Sequence, residues 1–240
     1  MPNRFREIPY VRIAAEGAVV VASILLAFAI DAWWTERLER KVEREELSRL
    51  YVEFEKNRDR ILSFGNYQQR STAASLRLDE LMEQAFAGGS EAIALPDTEL
   101  AELVQAPTYE AEVPVFDGLI RSGRIEIINS RRIIDALAEW ERLIRNASEH
   151  ELRARRFVDD QLLPALVVRA DLRHVLLNQY YRVEIVPLDP DGTTIVRVDA
   201  EIMGLVAQRY FHTALAVNML EQARDAADRV LAAIAEFLEE

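Results

Sequence analysis

Apolar residues are laid out differently in different parts of this chain, and the differences predict its elements. From Ile8 to Trp34 the sequence IPYVRIAAEGAVVVASILLAFAIDAWW is apolar on every face of a helix. As a helix it spans about 40 Å, enough to cross a bilayer and reach both headgroup layers. From Glu36 to Glu46 the only apolar residues are Leu38 and Val42, which predicts a solvated stalk prolonging the first helix. Mixed pairs such as Glu36/Arg40 and Glu45/Arg49 support helix there. From Leu47 onward Leu47, Leu50, Tyr51, Phe54 and Ile61 form one apolar face that should pack.

A second helix is expected from Asn66 to Ala87, stopped by Gly88-Gly89. Asp97 or Thr98 then opens a short helix to Gln105, with Glu99 and Glu102 near its positive end. Pro107 to Pro114 reads as irregular. Asn129 is placed to cap a long helix in which Ile133, Leu137, Trp140, Ile144, Ala147, Ala154 and Val158 recur at three–four spacing. Pro164 ends or kinks that helix. Tyr181–Leu188 and Thr193–Asp199 alternate around Asp189-Pro-Asp-Gly192, the signature of a hairpin. A final helix runs from about Ala200 to Glu239, with Leu220, Ala223, Ala227, Val230, Ile234 and Leu238 on one stripe. The expected fold is mainly α: one N-terminal transmembrane helix continuing into a helical-bundle domain with one small β-hairpin. Residues 1–34 form the anchor, spanning from about residue 10 to 33. Residues 35–64 form the stalk and first bundle helix, and 65–240 a helical domain with its hairpin near 181–199.

The anchor reading has two rivals. Only Gly17 to Ile30 separate Glu16 from Asp31. That is about 21 Å of uncharged helix against a hydrocarbon core of roughly 30 Å. A cleaved signal peptide fits the basic start, the short apolar run and the Ala27-Phe28-Ala29 triplet, but not Glu16. A buried core helix rarely shows such residues on all faces. Trp33 and Trp34 favour the anchor, because indoles settle at the membrane–water interface. Glu16 and Asp31 then sit near opposite headgroup boundaries or against polar groups of a neighbouring helix. Ala14, Ala18 and Ala22 form a small-residue row that permits close helix approach. Together Ala14, Glu16, Ala18, Ala22 and Asp31 are the candidate helix–helix contacts.

Charge changes the picture outside the anchor. Residues 1–34 carry Arg4, Arg6 and Arg12 against Glu7, Glu16 and Asp31, so the net charge of −12 lies wholly beyond Trp34. An acidic domain repels phosphate backbones, which argues against nucleic acid as a partner. It also confines any docking on an anionic leaflet to the first turns after the anchor. There is no cysteine, which excludes disulfides, thiolate metal sites and cysteine nucleophiles. No Gly-rich phosphate loop, G-x-S-x-G elbow or H-E-x-x-H is present. Asp189-x-Asp191-Gly192 begins like a calcium loop but has Thr194 and Ala200 where Gly and Glu are needed. Asp171 and His174 have the i,i+3 spacing of di-iron bundles without the second such motif. Trp140 and Tyr180-Tyr181 read as core. No catalytic residue, metal site or cofactor is expected.

The run from Glu16 to Trp33, followed by a highly charged helix, resembles a family of uncharacterised bacterial single-pass proteins. Their anchor reads approximately GE-(apolar)-GILIAL-x-x-NNWN-E. Glu16, Ile24, Leu25, Ala27 and Trp33 fall on matching positions, Ser23 replaces a Gly, and Asp31-Ala32 replaces the Asn pair. Phe116–Leu143, FDGLIRSGRIEIINSRRIIDALAEWERL, is similar to a second stretch of that family. The resemblance implies topology and no reaction.

These features lead to the expectation of a structural or interaction subunit rather than an enzyme, docking onto a larger membrane assembly, respiratory, photosynthetic or other, or onto itself. The alternative is an extracytoplasmic ligand-sensing or binding module. The short Arg-bearing tail is easier to retain in the cytoplasm, so the expected location is a bacterial inner membrane with the domain on the periplasmic side.

Overall fold

The computed structural model describes residues 10–180 and 192–239. Its backbone is a single helix of 78 residues, α1 (Tyr10–Ala87), about 117 Å long. No break separates the apolar segment from the bundle, and the boundary expected near Gly65 falls inside α1. The separate helix expected from Asn66 is its continuation, since Gly65 alone costs only about 1 kcal/mol in a helix. α1 ends where the sequence says. Gly89 takes a left-handed φ of 78°, Ser90 N–H donates to Ala85 O and Gly89 N–H to Phe86 O. This Schellman closure needs a residue without Cβ at Gly89.

Beyond α1 come β1 (Ala92–Pro96), α2 (Asp97–Val104), α3 (Pro114–Arg121), a 3-10 turn (Arg124–Ile127) and α4 (Arg131–Phe157). Then follow a π-helical turn (Val158–Leu162), α5 (Leu163–Val167), α6 (Arg173–Tyr180), β2 (Thr193–Arg197) and α7 (Ala200–Glu239). The regular α-helix of α4 therefore gives way to a π turn just before Pro164, and the short α5 carries helix past the proline. The π turn absorbs the missing N–H just before the proline.

α1, α4 and α7 form the bundle. α4 starts beside Glu43 and rises parallel to α1, and α7 returns so that Leu238 lies beside Arg44. α7 supplies Ala223, Ala226, Ala227 and Ala233 to the core, which lets it lie close against both neighbours. α1 and α4 are instead spaced by aromatic rings. Phe54 and Trp140 meet edge-on at 4.7 Å between centroids, and Phe116 meets Trp140 at 6.1 Å. Trp140 is 1% exposed, so it is core.

At the far end a second core gathers Leu78, Met82, Leu95, Leu103, Val158, Val196 and Val206. The two strands there pair antiparallel, with Ala92 opposite Arg197 and Pro96 opposite Thr193. Thr193–Arg197 is a strand as expected. The other limb expected for its hairpin, 181–188, lies outside the described residues, and the strand's partner is β1, about a hundred positions earlier in sequence. Leu95 and Val196 point into the core, which fixes the register.

Candidate functional site

The apolar part of α1 lies apart from the bundle. It is the one helix among the described residues long and apolar enough to cross a membrane, and none of its most apolar window is buried. Val19, Leu25, Leu26, Phe28 and Ile30 are all more than half exposed. Trp33 and Trp34 are exposed at its upper end with ring centroids 6.3 Å apart. Ala14 lies on α1, and Glu16, Ala18, Ala22 and Asp31 are exposed along it. At 100° per residue, Glu16 and Asp31 fall within about 60° of each other, whereas Ala18 and Ala22 face the opposite side. The candidate contacts are thus two faces rather than one, and a single partner helix cannot cover both.

Above Lys41 the expected stalk departs from expectation. Glu43 and Glu46 are buried, at 2% and 6% exposure, because the connection before α4 folds over them. Glu43 accepts the Asn129 N–H at 2.6 Å and its Nδ2 at 3.1 Å. Asn129 is therefore not the cap of α4. Ser130 holds that position, and Asn129 instead satisfies a carboxylate that burial would otherwise strand. Glu46 takes Arg124 at 2.8 Å.

The same device repeats up the helix. Glu53 accepts N–H groups from Val115 at 2.6 Å and Phe116 at 3.0 Å, capping α3 from outside it. Burial pushes its pKa up, and those two amides pull it back. Asn57 accepts the Glu112 N–H and the Tyr109 hydroxyl through Oδ1, and donates to Glu112 O through Nδ2. From α4, Glu151 accepts the Tyr109 N–H at 2.8 Å through Oε2. Its Oε1 has no hydrogen-bond partner among the described residues. Burial raises the Glu151 pKa to about 7, against the opposing pull of the Tyr109 amide. From α7, Arg209 is 1% exposed and donates to Leu103 O and Ser71 Oγ, both at 3.0 Å, and to Gln105 O. No carboxylate pairs with it among the described residues, and burial lowers its pKa to about 10. The carbonyl end of α2 supplies the compensating negative pole. All three long helices thus send buried polar side chains to the backbone of residues 102–129, and the chemistry they perform is clamping.

An open groove of about 590 Å³ runs along this seam, lined by Val52, Pro114 and Val115, by Glu53, Asn57 and Glu112, and by Arg49, Lys56 and Arg60. The pair singled out for di-iron spacing is otherwise engaged. Asp171 binds Arg173 in an exposed turn, which lowers its pKa to about 2. Among the described residues no three His, Asp or Glu converge as a metal set.

No family model, curated protein or solved structure matches the chain.

Proposed function

We propose that this protein is a single-pass membrane subunit whose role is interaction: α1 anchors it, and the bundle docks onto a larger membrane assembly or onto further copies. The observation that carries the reading is the wholly uncovered apolar part of α1 on a helix whose continuation is packed. Burying one large apolar side chain is worth about 1.5–3 kcal/mol. Ten such residues from Val19 to Trp34 are exposed, so a cover of lipid or partner helix is strongly favoured. The polar seam supports a scaffold, since its buried charged side chains are bonded to backbone groups. On this reading the N-terminal tail is cytoplasmic and the bundle lies on the periplasmic side of a bacterial inner membrane.

Alkaline carbonate washing of native membranes, followed by purification in mild detergent and mass spectrometry, tests it. The full-length chain should stay with the membrane and copurify with a stoichiometric partner or as an oligomer. Release of the intact chain refutes the anchor, and recovery as a lone monomer refutes the interaction role. The groove at Val52 and Val115 favours the second reading, a ligand-binding module. A small molecule copurifying with the lone monomer would select it.

A further inference from the structure

The turns just above Trp34 hold a clustered set of cations with few bonds to the bundle or the anchor. Taking Arg37 as the origin and 100° per residue, Arg37, Arg40, Lys41 and Arg44 lie within an arc of about 100°. Glu36, Glu39, Glu43 and Glu46 fall on the other side, the side on which Leu47 and Leu50 enter the core. Glu43 and Glu46 are further withdrawn by their bonds to Asn129 and Arg124. The cations border a recess of about 410 Å³ with Glu45 and Ser48.

Their present engagements are light. Arg40 pairs with Glu36 in the open, both side chains more than half exposed. Lys41 stands 3.9 Å from Glu45, also in the open. Arg44 donates to Leu238 O at 3.2 Å. Arg37 lies with its guanidinium 5.6 Å from the Trp33 ring, so it is turned down toward the aromatic pair rather than up toward the bundle. Exposed ion pairs of this kind contribute little to stability, so a phosphate displaces them readily.

Position completes the argument. If the tryptophans lie at the edge of the hydrocarbon layer, Arg37 to Arg44 stand about 5–15 Å above it, the depth of the headgroups and the water just beyond. We infer that the stripe Arg37, Arg40, Lys41 and Arg44 is a binding surface for anionic phospholipid headgroups in the leaflet next to the bundle. It rests on the reading of α1 as a membrane anchor. Arg37 and Lys41 lie on the side of α1 turned from the bundle, where lipid reaches the helix freely, while Arg40 and Arg44 border the base of the bundle beside Asn129 and Phe237. The overall charge of −12 makes this local attraction selective, because the rest of the domain is repelled by the same leaflet. Each basic side chain near an anionic surface strengthens attachment about fivefold.

The test reconstitutes the full chain into phosphatidylcholine vesicles containing either brominated phosphatidylglycerol or brominated phosphatidylcholine at equal fractions. Bromine quenches Trp33 and Trp34, while Trp140, buried in the bundle, supplies a constant background. The phosphatidylglycerol should be enriched around the helix at least about threefold at low salt, and raised salt should erode the preference. The triple variant Arg37→Gln/Lys41→Gln/Arg44→Gln should lose the preference while brominated phosphatidylcholine still quenches it. A control triple on exposed residues of α4, Arg131→Gln/Arg145→Gln/Arg155→Gln, should keep it. Equal quenching by the two lipids in the parent, or an unchanged preference in the first triple, overturns the proposal and leaves the anchor standing. Absence of quenching by either lipid, with release of the chain by carbonate, overturns the anchor and the proposal together.

Discussion

Glu151 offers the sharpest test of the polar seam, because the fold pays a pH-dependent penalty there. Its carboxyl is 2% exposed, has one hydrogen bond to the Tyr109 amide, and has its pKa raised from 4.5 to about 7. A raised acid favours folding in its protonated form. That contribution is complete below about pH 4.5 and is lost as the pH rises through about 7. A shift of this size corresponds to about 3 kcal/mol between the two limits, as an order of magnitude. Glu151→Gln keeps an acceptor for the Tyr109 N–H and removes the titrating proton. The variant should be stabilised relative to the parent by about 2–3 kcal/mol at pH 9 and should match it within about 1 kcal/mol at pH 5. Urea unfolding of the full chain in mild detergent, followed by Trp140 fluorescence across that range, measures both. Parallel stability curves for parent and variant would show that Glu151 titrates normally and that its burial is relieved in some way other than protonation.

Trp140→Ala should cost about 3–5 kcal/mol in the same assay, since it removes the ring that spaces α1 from α4; an unchanged midpoint would place Trp140 outside the core. Arg209→Ala leaves Leu103 O, Gln105 O and Ser71 Oγ without their donor and should cost about 2–4 kcal/mol. Hydrogen exchange should quicken first in α2, and uniform loosening would contradict the clamp. Glu16→Leu and Asp31→Leu should leave membrane insertion intact and reduce the size of the complex recovered in mild detergent. Parent-like complexes from both variants would mean these carboxylates simply rest among headgroups.

The helices that obey a simple apolar period were legible in the sequence. α7 runs from Ala200 to Glu239 as expected, and the apolar N-terminal segment and the terminator Gly88-Gly89 stand out without any structure. The first helix was underestimated for one physical reason. Glu43 and Glu46 fall in the expected solvated stalk and Glu53 and Asn57 belong to no expected feature, yet all four share the three–four phase of Leu47, Leu50, Phe54 and Ile61. That phase was the available signal: a charged residue on an apolar stripe must find a buried partner or leave the stripe. Their partners are backbone amides of the segment before α4, and for Glu46 the Arg124 side chain, and no local pattern announces those. β1 was missed similarly. Ala92–Pro96 is short, ends in proline and pairs with a strand far along the chain, so neither alternation nor turn chemistry points to its partner.

One consequence of the seam bears on any partner. Glu43 binds Asn129 and Arg44 binds Leu238, so the base of the bundle is tied to α1 on both flanks at the same level. Since α1 is unbroken, that base stands about 14 Å above Trp34 along the helix, and the groove at Val52 about 27 Å above it. With the apolar part of α1 anchored in a bilayer as proposed, a stalk that bent freely would let the bundle settle onto the membrane, but a continuous helix held from two sides sets a fixed stand-off. A partner that stays within the bilayer can therefore touch only the anchor faces, at Ala18 and Ala22 or at Glu16 and Asp31. One that occupies the groove must carry a domain of its own on the same side of the membrane, and its contact should be acidic opposite Lys56 and apolar opposite Val52 and Val115. The two kinds of partner are separable, because a substitution in the groove, Val52→Asp, should release the second and leave the first in place.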